Sequence, residues 1–378
     1  MKKISVIIAI AALAASAACT KVDPNEGPAK KISFEVASYV TPATKAESST
    51  FPGSGSSLFD EFASPKFYTY AYFYPALSSD PQGQVFMDNV EITPNAATSA
   101  ATTEWAPADE YFWPRTGYIN FFSYASKNAV TVDASNLEAQ KKIVFGPKAI
   151  TADDNILLAD ACYNAKSANS SESTMTVTGE VTKGVPTLFR HLLCQVAFNI
   201  KLKTAKTHAT TAYEVEVISA SLSGVKTTGT LTLTNAGTTG TDLTIVDWGT
   251  AGTVGWVPAA ATENVTFTVP ASPFTLAAGA TESSAASFLD FRTFLPQTLA
   301  DDVVLNMTYK IKAKHGSTTY SKETFTMDPV KLNGSTISVW NMNEKITYNL
   351  ELDPVTTIVT FDPAVVAWDA SKTANLTI

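Results

Sequence analysis

Apolar and polar residues alternate along much of the chain. Val303, Leu305, Met307, Tyr309, Ile311 and Ala313 interleave with Asn306, Thr308, Lys310, Lys312 and Lys314, the period of two that a half-buried antiparallel strand requires. The same alternation runs through Ile32-Phe34-Val36, Val196-Phe198-Ile200-Leu202, Val265-Phe267-Val269 and Ile346-Tyr348-Leu350-Leu352. Thr, Val, Tyr and Phe fill these runs, as suits a pleated surface, and Gly, Pro, Asn and Asp clusters separate them. A helical pattern is confined to Asp153–Ala159, where two acidic residues precede an apolar run and predict one or two turns. The fold class is all-β.

Length then sets the organisation. The 378 residues, less a leader, suit two units of ~150–180 residues. Ser, Thr and Gly crowd residues 164–184 while large apolar residues thin out, which places a junction near residue 180 and predicts domains at 31–180 and 181–378. Pro94–Thr103, Thr234–Thr241 and Ala259–Thr262 read as surface loops. With 45% hydrophobic and 16% charged residues, a sizeable core can be buried. The net charge of −8 excludes a phosphate-binding role, which needs a basic face, so nucleic acid is not a partner.

Residues 1–18 read as a signal peptide: Lys2 and Lys3, an apolar run from Ile4, then Ser16-Ala17-Ala18 before Cys19. Cys19 in that setting reads as the lipidation site of a bacterial lipoprotein, and residues 19–30, rich in Pro, Gly and polar groups, as a tether. The expected location is the outer membrane and cell surface, anchored and not spanning. Cys162 and Cys194 read as two buried thiols or as a disulfide, depending on a separation the sequence does not give.

No catalytic constellation emerges, and neither cofactor nor metal is implied. His191 sits in an apolar strand entry, whereas His208 and His315 lie in Lys/Thr-rich stretches. Asp109-Glu110, Asp153-Asp154 and Asp301-Asp302 lack the alternating-oxygen spacing of a calcium loop. Gly53-Ser54-Gly55 lacks the Lys of a phosphate loop. The chain reads as non-enzymatic. Tyr68, Tyr70, Tyr72 and Tyr74 share one face of a strand, with Phe67, Thr69, Ala71 and Phe73 on the other. That face is either a packing surface or a platform on which a monomeric surface lipoprotein would stack glycans.

Several segments in this order resemble the fimbrillin-like (Mfa-like) family of pilus subunits and accessory lipoproteins. They are the Cys19 motif, Ile32-Ser-Phe-Glu-Val36, Thr44-Lys45-Ala46 and Phe86-Met-Asp-Asn89, followed by Trp105, Tyr111-Phe-Trp-Pro114 and Ile119-Asn-Phe-Phe-Ser-Tyr124. Later come Phe189-Arg-His-Leu-Leu193, Phe294-Leu-Pro-Gln297, Trp340 before Ile346-Thr-Tyr348, and Val359-Thr-Phe361 with Trp368. The resemblance implies two tandem transthyretin-like Greek-key β-sandwich domains. It further implies a pilus subunit or pilus-associated adhesin that joins other pilus subunits by strand exchange. Proteolysis would remove the first strand, here between Lys45, which stands where well-studied members carry Arg, and Ala46. The segment 346–378 would supply the donor strand. Surface glycans or proteins of a host or another bacterium are the expected adhesion partners.

Overall fold

The computed structural model describes residues 31–38, 62, 64–75, 83–94, 105–114, 117–166, 184–205, 207–235, 237, 243–248, 255–320, 324–334, 337–356 and 359–367. Strands β1 (Phe34–Ser38), β2 (Phe67–Tyr74), β3 (Gln84–Pro94), β4 (Trp105–Pro107) and β5 (Tyr118–Ser126) come first. After β6 (Val132–Asp133) stands a four-residue helix, α1 (Leu137–Gln140), then β7 (Lys142–Ala149), β8 (Ile156–Ala159) and β9 (Ala161–Ala165). The middle of the chain holds β10 (Val185–His191), β11 (Cys194–Leu202), β12 (Thr211–Val225), β13 (Thr228–Thr234), β14 (Thr244–Val246), β15 (Trp256–Pro258), β16 (Glu263–Thr266) and β17 (Phe274–Leu276). It continues through β18 (Ala286–Phe294), β19 (Gln297–Thr298), β20 (Val304–His315), β21 (Thr318–Tyr320), β22 (Thr324–Thr326) and β23 (Val330–Lys331). Last are β24 (Val339–Trp340), β25 (Glu344–Leu352) and β26 (Val359–Ala367). The all-β class holds, and no described helix is long and apolar enough to cross a membrane.

The expected alternation is realised in side-chain burial. Along β20, Leu305, Met307, Tyr309 and Ile311 are buried while their neighbours are partly exposed. Val196, Phe198, Ile200 and Leu202 of β11 face Ile346, Tyr348, Leu350 and Leu352 of the parallel strand β25, all at most 1% exposed. These strands build a sandwich from a sheet ordered β18-β11-β25-β26 and a larger one carrying β16-β12-β20-β21.

The first half is organised differently. Strands β5, β2, β3, β4, β1, β10 and β8 pair in that order, and β8 pairs back onto β5, so seven strands close a ring. One hydrophobic cluster draws on all seven, with Phe34, Phe67, Met87, Trp105, Phe121, Leu157 and Phe189 among its members. A second cluster lies between the outside of β2, β5, β8 and β9 and the sheet β15-β13-β7-β6. Cys162 belongs to the first of these cores and Cys194 to the sandwich core, so both are buried free thiols and the disulfide alternative falls. Burial pushes both thiols up. In a Cys19→Ser background we therefore expect no reaction with a thiol reagent under native conditions, two reactive thiols in denaturant, and a thermal midpoint unmoved by reductant. A midpoint that drops on reduction would contradict the arrangement.

One expectation changes. The helix expected at Asp153–Ala159 is a turn followed by strand β8, whose four residues are all buried. Ile156 and Leu158 join the cluster between the sheets, and Leu157 and Ala159 the cluster of the ring. A short continuous apolar run suits a strand covered on both faces, and here both faces are covered. The junction expected near residue 180 lies outside the described residues, and sheet membership does not divide there. Beyond it, β10 pairs with β1 and β8, β13 with β7, and β14 with β9. The chain enters the sandwich after Leu193, returns after Val225 to supply β13, β14 and β15, and leaves again through the exposed loop Ala259–Thr262.

Candidate functional site

The first strand is an interior member of the ring. Alternation sends Ile32, Phe34 and Val36 inward, where they are 2%, 1% and 7% exposed. Phe34 meets Phe67 and Phe121 edge-on, at centroid distances of 5.5 and 5.7 Å. Phe67 in turn packs on Phe189 and Trp105. Each of the three inward side chains contributes about 1.5–3 kcal/mol through burial. That is a sizeable part of the roughly 5–15 kcal/mol that holds a domain folded.

The backbone neighbours of β1 are unequal. On one side all five residues run parallel to β10, from Phe34↔Val185 to Ser38↔Phe189, and the Val185 N–H donates to the Ser33 carbonyl at 2.7 Å. Gly184 makes this approach feasible, since a Cβ there would stand 2.9 Å from the Phe34 carbonyl carbon. On the other side, among the described residues, β4 pairs Trp105 with Phe34, and further out the Ile32 N–H donates to Tyr111 O while Lys31 pairs with Glu110. Among the described residues the strand thus sits in a seat of buried aromatics and has a continuous ladder with β10.

Polar groups lock β10 into place. Arg190 donates to both carboxylate oxygens of Asp160, at 2.7 and 2.9 Å, and Asp247 stands 3.8 Å away. Asp160 occupies the break between β8 and β9, and its own N–H donates to the Leu188 carbonyl. Burial raises the pKa of Asp160; the Arg190 bonds oppose this and Asp247 adds to it. His191 is buried, its Nδ1 2.8 Å from Asn155 Oδ1. Trp248 Nε1 donates to Ala159 O and Trp256 Nε1 to Leu192 O, binding the returning segment to the same strands.

Other residues singled out in the sequence are accounted for by local structure. Asp154 is fully buried. Burial works against its ionisation, but the Thr151 backbone N–H, Asn128, Lys148 and the Thr151 hydroxyl outweigh this and hold its pKa below the usual carboxylate value. Asp301 accepts from Asn333 at 2.6 Å. His208 lies edge-on to Tyr213, and His315 is exposed at the β20–β21 turn. Among the described residues no three His, Cys, Asp or Glu side chains gather as metal ligands would. Cys19, Lys45 and Ala46 lie outside the described residues.

The tyrosine face of β2 is a packing surface, so the glycan platform is ruled out there. Tyr70, Tyr72 and Tyr74 are at most 9% exposed beneath the second sheet, and burial, with help from Asp88, pushes the Tyr72 hydroxyl up to about 12. Tyr74 stacks on Tyr118 at 5.0 Å, and Tyr68, partly exposed, stacks on Tyr124 at 5.5 Å.

The segment expected to act as donor divides into two unlike strands. β25 lies between β11 and β26 and carries four core residues, whereas β26 is the sheet edge and pairs only with β25 among the described strands. On β26, Val365 is 43% exposed although it stands opposite the buried Ile346. Sequence reasoning missed this division because it took 346–378 as one segment.

A family model described as fimbrillin-like matches residues 70–368. The chain belongs to the fimbrillin-like family. A solved structure of a fimbrial protein from Bacteroides vulgatus is 19% identical, with a TM-score of 0.56 over 89% of this chain and 99% of its own. The tip fimbrial protein Mfa3 from Porphyromonas gingivalis is 8% identical, with a TM-score of 0.34 over 90% of this chain and 100% of its own. The first of these likenesses concerns the fold. A comparison with curated proteins gives no match.

Proposed function

We propose that this fimbrillin-like chain is a pilus subunit or pilus-associated adhesin of the cell surface, with its two units, transthyretin-like by resemblance, in series. It is exported as a lipoprotein anchored to the outer membrane through Cys19. Cleavage between Lys45 and Ala46 frees the first strand, and a strand from a neighbouring subunit takes its seat. The single observation that carries this reading is the placement of β1: it comes from the start of the chain, yet fills an interior position between β10 and β4. Lys45 lies seven residues beyond Ser38, so a cut there would leave β1 held by pairing and packing alone. A vacated interior seat exposes one row of backbone donors and acceptors and a line of side-chain pockets, the two things an added strand satisfies. Keeping the seat filled until cleavage prevents edge-to-edge aggregation.

Deletion of residues 44–47 tests the cleavage step. The expected result is an intact, folded chain on the cell surface and no ladder of polymers on unboiled denaturing gels. Assembly at the wild-type level would remove the mechanism.

A further inference from the structure

Two large apolar side chains that face water lie at one end of the ring. Val85, near the start of β3, is 67% exposed, and Phe112, in the segment between β4 and β5, is 41% exposed. Strand register puts them at the same end. Gln84 and Val85 stand opposite Phe73 and Tyr72, near the end of β2, and Phe112 is bridged to Lys31, just before β1. The Phe86 and Tyr111 rings, 5.7 Å apart, join the two segments, and Trp113 packs edge-on against Phe121 at 5.9 Å. Phe73, Phe86, Tyr111 and Trp113 are only partly buried. Aromatic side chains thus rim this end of the ring around two exposed apolar ones.

We propose that this aromatic end rests on the surface of a lipid bilayer, with Val85 and Phe112 entering the boundary between headgroups and acyl chains. This rests on the reading of Cys19 as the lipid anchor and adds to it a protein surface that the bilayer covers. The place where the chain enters the fold singles out the bilayer as occupant. Cys19 stands twelve residues before Lys31, a reach of at most about 40 Å. Lys31 is itself paired with Phe112, so an anchored chain enters the fold at the aromatic end and holds that end nearest the lipid. Tethering raises the local concentration of lipid at the patch, so a contact too weak to hold a free chain suffices for an anchored one.

The chemistry of the patch agrees. Tyr111 and Trp113 each combine an apolar body with a polar tip, which suits the boundary between lipid and water. Val85 and Phe112 add apolar area, the quantity that sets interfacial binding. Lys31 and Glu110, the charged pair beside them, offset one another. With a net charge of −8 on the whole chain, the contact is hydrophobic and needs no anionic lipid. A sugar fits less well, because Val85, Phe86 and Phe112 offer its hydroxyls no hydrogen bond. Cleavage between Lys45 and Ala46 would take the tether away along with β1, so the seating belongs to the uncut chain.

Fluorescence quenching tests the seating. The lipidated full-length chain is reconstituted into phosphatidylcholine vesicles as Val85→Cys, Phe112→Cys or, for control, Val257→Cys on β15, each labelled with a thiol-reactive fluorophore. Val257 is 70% exposed, and Cys162 and Cys194 are buried and stay unlabelled. Labels at 85 and 112 are expected to be quenched by brominated lipids and protected severalfold from aqueous iodide relative to the label at 257. Equal exposure to iodide at all three positions would overturn the seating and leave the anchor standing. Protection from iodide without quenching by brominated lipid would assign the patch to a second copy of the chain and overturn the seating as well. A chain that does not float with the vesicles would overturn the anchor reading, and the seating with it. Should a labelled variant fail to fold, the unlabelled chain gives the answer. The four other described tryptophans are at most 7% exposed, so quenching of the intrinsic emission by brominated lipid should fall on Trp113→Phe. Quenching left unchanged by that substitution would overturn the proposal.

Discussion

Replacing Phe34 with alanine is expected to remove about 3–5 kcal/mol of stability, the usual cost of emptying a fully buried aromatic site. The side chain is 1% exposed and its ring touches Phe67 and Phe121, so the neighbours are themselves walls of the core and cannot close the gap. The loss is large against the roughly 5–15 kcal/mol of a whole domain. It is also local, because among the described residues the full ladder of β1 is the one with β10. Urea unfolding should show a lower midpoint, and limited proteolysis should cut within 31–38 before the rest of the chain is attacked. Val257→Ala, at a position 70% exposed, serves as the control and is expected to stay within about 0.5 kcal/mol of the wild type. A Phe34→Ala loss below about 1 kcal/mol would mean that the seat collapses around the missing ring, contrary to the packing described.

How far this could be read in the sequence depends on the range of the interaction. Alternation identifies which residues of a strand face inward, and it did so for Ile32-Phe34-Val36, for β11, β20 and β25. It carries no information about the neighbour. That β1 lies parallel to β10, some 150 residues away, or that β13 leaves the sandwich to pair with β7, follows from packing the whole chain. The segment Ile156–Ala159 misleads for a related reason: once both faces of a strand are covered, its period of two vanishes and it resembles a buried helical turn. The tyrosines of β2 show the same limit, since whether their face meets water or a second sheet is decided by β7 and β13.

The clamp between Arg190 and Asp160 gives the other large effect, because it fixes the strand on which β1 lies. Arg190→Ala leaves a carboxylate that is 5% exposed without its bidentate partner. Removing one member of a buried pair costs about 3–5 kcal/mol, most of it from the uncompensated charge. The pH dependence separates this cause from simple loss of packing. Burial already holds the folded pKa of Asp160 above its ordinary value, and losing Arg190, which lowers it, raises it further. A carboxyl with a raised folded pKa contributes stability that is fully present below the unfolded pKa and is lost as pH rises through the folded one. The Arg190→Ala deficit should therefore be largest near neutrality and shrink as the solution is acidified and Asp160 takes up a proton. Pairing Arg190→Ala with Asp160→Asn should recover much of the neutral-pH loss and flatten the profile. Urea midpoints across this pH range would decide the matter: a deficit independent of pH would assign the effect to the arginine's aliphatic contacts, and the clamp would then hold β10 by shape instead of charge.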